Sequence, residues 1–180
     1  MRVFTVAGTQ VHAGLALPQQ LPEHGYVWIA CSREQFQAEL TSIQNSLERL
    51  TGQTLVDLHV SDLLNAQLPS RFDYSSHYDL MVFRRLAQRH DGAAAHAASG
   101  LTLQGKRPGP PVLHRIDTSP VGFAVFVRVL LSVHPSDCAV REAYASRLLA
   151  STQAAAPTTE TADLRSTGAR GVPSSPADMM

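Results

Sequence analysis

The pattern of apolar and polar positions first predicts a strand that leads directly into an amphipathic helix. Residues 25–31 form a β-rich apolar run of the kind that fills buried strands. After it, large apolar residues recur at alternating intervals of about four and three positions, which places them on one face of a helix. These residues are Phe36, Leu40, Ile43, Leu47 and Leu50.

Polar residues and a glycine mark both ends of this helix. Ser32 is a typical N-cap residue, and Gln35 at the third helical position completes a capping box. Gly52 is suited to end the helix because glycine adopts the left-handed conformation of a helix C-terminus without strain. The sequence therefore predicts one helix between Ser32 and Gly52.

Shorter signals of the same two kinds cover the rest of the domain. They predict a strand at residues 1–6, a helix at 58–64 capped by Asp57, and paired strands at 71–74 and 78–84. They also predict a hairpin within 121–134 that turns near 126–128. A last helix is predicted after Ser136, with a buried face formed by Val140, Ala143, Tyr144 and Leu148. Apolar residues on both faces of the hairpin predict an interior position in the sheet. Together these elements predict an α/β fold in which a mixed β-sheet is layered with helices.

Two stretches of biased composition set the predicted domain limits. Residues 88–111 are rich in Ala, Gly, His and Pro, which predicts a mobile loop. After residue 150 large apolar groups are few, as in a disordered linker. We therefore expect one domain at residues 1–150 and a flexible linker at residues 151–180. Ser175 and Pro176 carry a helix-start signal near its end, so we expect a helix that is truncated at Met180, with a flexible tail as the alternative.

Composition narrows the classes of function. Fifteen basic residues balance fifteen acidic ones, so no overall field attracts nucleic acid or anionic lipid. The chain has neither an apolar run of about 18 residues nor the apolar stretch of a secretory signal, so we expect it to be soluble. Cys31 and Cys138 lie in apolar surroundings, and we expect reduced, buried thiols, with a disulfide as the less favoured alternative.

No sequence motif predicts catalysis. The eight histidines show neither an HExxH pattern nor a pair four residues apart, which favours scattered surface histidines over a zinc site. Nucleophile-elbow, P-loop and dinucleotide glycine patterns are also missing from the sequence. Neither cysteine has a histidine or a basic residue beside it in the sequence. We therefore expect a domain that is not an enzyme.

Three stretches of residues 25–150 resemble, in order, the N-terminal cytoplasmic domain of the CorA-type divalent-cation transporter family. The matching stretches are residues 27–29 with the helix after them, residues 55–65 with Pro69 and residues 74–84, and the hairpin at residues 123–127 and 130–134. The middle stretch is similar to the family's leucine, glutamate-aspartate, leucine and asparagine segment. Val56 and Asp57 stand where the family has histidine-proline, and Ser61 replaces its glutamate.

The resemblance implies a role in ion transport. The full-length protein would be a homopentamer at the cytoplasmic face of the inner (plasma) membrane, anchored only through C-terminal membrane helices outside this sequence. The present residues would form its regulatory funnel domain and, alone, a monomer or weak oligomer. The cation would be Mg²⁺ or Co²⁺, with Zn²⁺, as in ZntB-like relatives, as the nearest rival. A stand-alone α/β domain that binds a ligand or a protein is the alternative.

One candidate metal ligand follows from the resemblance. The aspartate of the family's glutamate-aspartate pair corresponds to Asp62. Divalent cations bind between neighbouring cytoplasmic domains in several members, and their occupancy favours the closed channel. Carboxylate oxygens suit such hard cations. The partner carboxylate would lie on a stalk helix outside this sequence, and the alternative is that Asp62 is an ordinary exposed acid.

Overall fold

The computed structural model describes residues 1–86, 118–136, 138–153 and 172–180. Its elements are β1 (Arg2–Ala7), β2 (Gln10–Gly14), β3 (Tyr26–Ser32), α1 (Arg33–Ala38), α2 (Leu40–Thr51), α3 (Asp57–Leu64), β4 (Arg71–Tyr74), β5 (Tyr78–Leu86), β6 (Thr118–Phe126), β7 (Val129–His134), α4 (Ala139–Gln153) and a 3₁₀ turn (Ala177–Met179). The predicted mobile loop at residues 88–111 lies outside the described residues.

The seven strands form one mixed sheet, which confirms the predicted fold class. The strand order is β2-β1-β3-β7-β6-β5-β4. Strands β3 and β7 pair in parallel, and the other neighbours are antiparallel. The pairing of β6 with β7 confirms the hairpin and its interior position.

Alternate residues of the strands build two apolar clusters, one on each face of the sheet. In β3, Val27 and Ile29 face the cluster that α1, α2 and α3 cover, whereas Tyr26 and Trp28 face the cluster beneath α4. This two-sided burial explains why β3 reads as an unbroken apolar run. None of the helices in the described residues is long and apolar enough to cross a bilayer.

The helix after β3 differs from its prediction in one respect. Ser32 and Gln35 form the predicted capping box, and Gly52 ends α2 at φ +75°. The predicted single helix is nevertheless two helices, because Glu39 leaves the helical region at φ −107° and ψ 16°. The prediction that Asp57 caps α3 is also wrong, since Val56 holds the N-cap position and Asp57 is the first helical residue.

Helix α4 presents a different face to the sheet from the predicted one. Ala145 and Leu148 are buried, whereas Val140 is 66% exposed. The prediction holds for Leu148 and is wrong for Val140 and Ala143. Four of the eight apolar residues of α4 are alanines, so its apolar pattern determines the rotation of the helix only weakly. Packing on Trp28 and Leu130 decides it.

The predicted linker is only partly described. Residues 151–153 continue α4, residues 154–171 lie outside the description, and residues 172–180 pack on the cluster beneath α4. Met179 Sδ accepts hydrogen bonds from the Tyr26 hydroxyl at 3.0 Å and the Tyr144 hydroxyl at 3.6 Å. Ser175 N donates to Asp178 Oδ2 at 3.0 Å, so the helix-start signal forms the turn Ala177–Met179.

Candidate functional site

Helix α3 and strand β4 bring together the polar residues around the predicted ligand. Arg71 Nη1 lies 3.1 Å from Asp62 Oδ2. The same guanidinium also donates to Asp73 Oδ2, and His59 Nε2 lies 3.5 Å from that oxygen. Tyr78 completes the group through its hydroxyl, 2.8 Å from His59 Nδ1. These five residues are called the Arg71 cluster below.

Asp62 is a buried member of this cluster. It is 8% exposed, so the alternative that it is an ordinary exposed acid is wrong. In the described part of the chain its Oδ2 atom accepts no hydrogen bond of good geometry, although Arg71 lies within ion-pair distance. Burying an uncompensated carboxylate costs several kcal/mol. The Arg71 guanidinium therefore provides the positive charge that Asp62 requires.

The hydrogen-bond network orders the other side chains of the cluster. Tyr78 Oη accepts from Val56 N at 3.0 Å and lies 2.8 Å from His59 Nδ1, to which it can donate its own proton. Burial raises the pKa of Tyr78. The backbone N–H of Tyr74 donates a hydrogen bond to the Asp73 carboxylate. This bond, followed by the interaction with the Arg71 guanidinium, lowers the pKa of Asp73. The cluster therefore favours an ionised Asp73 beside a charged Arg71.

The Arg71 cluster contains side chains of the types that bind divalent metals, but these side chains do not form a metal site by themselves. Two carboxylates and an imidazole are ligand types for divalent metals. However, nowhere in the described ranges do three such groups lie close enough together to hold a metal ion. Arg71 occupies the position between the two carboxylates. Asp62 could therefore take part in a metal site only with ligands from outside this cluster.

A second buried polar chain runs beneath α4. Trp28 Nε1 donates to Ser132 Oγ at 2.7 Å, and Ser132 Oγ lies 2.8 Å from His134 Nε2. His134 Nδ1 lies 3.5 Å from Cys138 Sγ. Burial, followed by the positive charges of Arg141, Arg85 and Arg33, lowers the pKa of His134 to about 3. His134 is therefore neutral at physiological pH.

A serine and a cysteine beside a histidine can form an activated nucleophile, but burial excludes this chemistry here. Ser132 is fully buried, and His134 and Cys138 are almost so, which leaves no access for a substrate. Sequence reasoning missed this group although His134 and Cys138 are four residues apart. Both cysteines are buried and free, as predicted, and burial raises the pKa of Cys31 to about 12.

The prediction of scattered surface histidines holds only in part. His12, His24 and His77 are exposed, as predicted. For His59 and His134 the prediction is wrong, because both are buried in the two polar groups just described. His90, His96 and His114 lie outside the described residues. The strand and helix that hold each buried histidine, rather than histidine spacing, decide its environment.

Among the comparisons with known proteins, a solved structure supports the fold. No protein-family profile and no curated protein matches the sequence. Among solved structures, the ZntB cytoplasmic domain from Vibrio parahaemolyticus RIMD 2210633 matches with a TM-score of 0.51 and 11% identity, over 83% of this chain and 49% of that one. This chain shares the fold of that domain. It spans about half of that domain's length. The full-length CmaX protein gives a TM-score of 0.49 at 13% identity, over 83% of this chain and 38% of that one.

Proposed function

We propose that residues 1–180 form the cytoplasmic regulatory domain of a CorA-like divalent-cation transporter, with a role in ion sensing and gating. The observation that carries the proposal is the fold shared with the ZntB cytoplasmic domain over 83% of the chain. The three sequence stretches that resemble the CorA family support it, since they fall on β3 to α2, α3 to β5, and β6 to β7. The whole protein would be a pentamer with its pore outside this sequence.

In this proposal Asp62 binds a divalent cation between neighbouring subunits. Within one chain Arg71 neutralises the Asp62 carboxylate. A cation at the subunit interface would compete with Arg71 for this carboxylate, and its occupancy would favour the closed channel. Carboxylate ligands suit Mg²⁺, whereas participation of His59 would favour Co²⁺ or Zn²⁺. Titration of the full-length protein with each of the three cations would identify the one it senses.

The sequence of the reading frame beyond Met180 tests the transporter proposal directly. We expect a long helical segment, then two apolar runs of about 20 residues, with Gly-Met-Asn at the pore mouth. A stop codon shortly after Met180 would contradict the transporter proposal. It would favour the alternative of a stand-alone domain that binds a ligand or a protein.

The role of Asp62 has a separate test in the full-length protein. Asp62→Ala should raise the Mg²⁺ concentration that gives half-maximal protection against proteolysis by about tenfold, which corresponds to about 1.4 kcal/mol of lost cation binding. Asp57→Ala is the matched control, because Asp57 is an exposed acid on the same helix. Equal protection of both variants and the parent protein would remove Asp62 from the proposed sensor site.

A further inference from the structure

Four segments that are distant in the sequence line a surface cavity at one end of the sheet. The cavity has a volume of about 340 Å³. Its lining comes from the loop before β3, the C-terminal end of α2, the turn between β4 and β5, and the turn between β6 and β7. It is called the Arg128 cavity below, and the lining includes Leu21, Leu50, Ser76, Phe126, Val127 and Arg128.

Part of this lining is apolar and reaches the core of the domain. Phe126 and Leu50 are 3% and 8% exposed, and both belong to the cluster that α1, α2 and α3 cover. Leu21 packs against the same cluster. Val127 is 85% exposed and lies at the rim. Such a surface binds the hydrocarbon part of a ligand, so the cavity is suited to a molecule with an apolar body.

Arg128 adds a positive charge that its surroundings do not neutralise. Its guanidinium donates only to backbone carbonyl oxygens, from Nε to Gly25 at 2.9 Å and from Nη2 to Glu23 at 3.2 Å and to Pro22. In the described part of the chain no carboxylate lies within ion-pair distance of Arg128. Arg128 is nevertheless half-buried. A charge in such a place gains stability from a counter-ion, so the cavity favours an anion.

The same hydrogen bonds hold the guanidinium in a fixed position. They tie Arg128 to the loop before β3 and use three of its five N–H groups. The two protons on Nη1 have no acceptor among the residues that the structure describes, and Arg128 lines the cavity. An anion in the cavity would therefore meet a donor that is already ordered, which lowers the entropic cost of binding.

The single guanidinium and the volume of the cavity define the class of ligand. One arginine balances one negative charge, and its N–H groups suit carboxylate oxygens. Ser76 and His77 line the same cavity and offer further polar groups. At roughly 30 Å³ per non-hydrogen atom, as in liquid water, a volume of 340 Å³ holds about eleven such atoms. We propose that the Arg128 cavity binds a monocarboxylate with an apolar body of about six to nine carbon atoms. This proposal goes beyond the transporter role and does not depend on it.

Titration of the 180-residue chain with sodium 3-phenylpropionate at constant ionic strength tests the site. In ¹H–¹⁵N NMR spectra we expect shifts of the backbone amide signals of Ser76, His77, Val127 and Arg128. The expected Kd is about 1 mM, because a ligand of this size gains only a modest free energy per atom. The uncharged 3-phenylpropanamide should bind about tenfold more weakly, because it lacks the charge that Arg128 attracts. Inorganic phosphate should also bind about tenfold more weakly, because it has no apolar body.

Two substitutions at the rim isolate the role of charge. Val127→Asp places a carboxylate next to Arg128 and should weaken binding of the acid about tenfold, because it competes for the guanidinium. Val127→Asn is the matched control, since asparagine has the size of aspartate without its charge, and its Kd should stay within about threefold of the parent value. Arg128→Gln should abolish binding. The pair at Val127 keeps the test valid if loss of the loop contacts prevents Arg128→Gln from folding, because Val127 is highly exposed.

Any of four results overturns the proposal. Unchanged amide signals in an excess of the acid would show that the cavity does not bind this class of ligand. Equal Kd values for the acid and the amide, or for Val127→Asp and Val127→Asn, would show that Arg128 does not hold the carboxylate. Phosphate that binds as tightly as the acid would contradict the assigned ligand class. None of these results affects the transporter proposal, whose test is the reading frame beyond Met180.

Discussion

Gly25→Ala is expected to lower the free energy of unfolding by about 4 kcal/mol or to prevent folding altogether. Gly25 has φ +123°, and a Cβ atom there would lie 1.9 Å from the Val6 carbonyl oxygen. Val6 cannot move away easily, because it pairs with Val11 on one side and Tyr26 on the other. The substitution therefore adds backbone strain to a steric clash with β1, a strand that is paired on both sides.

Substitutions at two other glycines separate the effect of backbone strain from the effect of the steric clash. Gly8 has φ +59° with open space around its Cβ position, and Gly14 has open space and no positive φ. Gly8→Ala should cost about 1 kcal/mol, and Gly14→Ala should stay within about 0.5 kcal/mol of the parent. Urea unfolding followed by the fluorescence of Trp28, the single tryptophan, measures all three. A Gly25→Ala effect no larger than that of Gly8→Ala would contradict the predicted clash.

Stability should fall steeply as the pH drops from about 6.5, because His134 stays neutral in the folded state. Burial lowers its folded pKa to about 3, whereas the unfolded side chain titrates near 6.5. Between these values the unfolded chain binds a proton that the folded chain excludes. The free energy of unfolding therefore decreases by up to about 1.4 kcal/mol per pH unit, and by about 4 kcal/mol in total near pH 3.

The contribution of His134 is best isolated between pH 6 and 4.5. Asp73, Glu142 and Asp178 also have lowered pKa values, but their contributions are lost only as the pH falls through and below the usual carboxylate range near 4. His134→Gln should flatten the slope in this window. His77→Gln should leave it unchanged, since His77 is exposed. Equal slopes for the parent and His134→Gln would contradict the assignment.

Local patterns in the sequence were sufficient for most secondary structure. The capping box of Ser32 and Gln35, the helix end at Gly52 and the strand from Tyr26 depend on residues within a few positions of one another. Their physical causes, which are backbone capping, left-handed glycine and burial of both strand faces, act over the same short range. The sequence resemblance to CorA-type domains also extended this local information to the correct α/β fold, although only 11% of residues are identical to the matched ZntB domain.

The contacts within the two buried polar groups could be identified only from the tertiary structure. Arg71 neutralises Asp62 because β4 lies beside α3, and no spacing rule links the two residues. Trp28 reaches Ser132 because β3 and β7 pair in parallel across more than 100 residues of sequence. The sequence by itself determined which segments become strands and helices, since those preferences are local. Only the tertiary structure decided which charges are buried and paired, because that depends on contacts between distant segments.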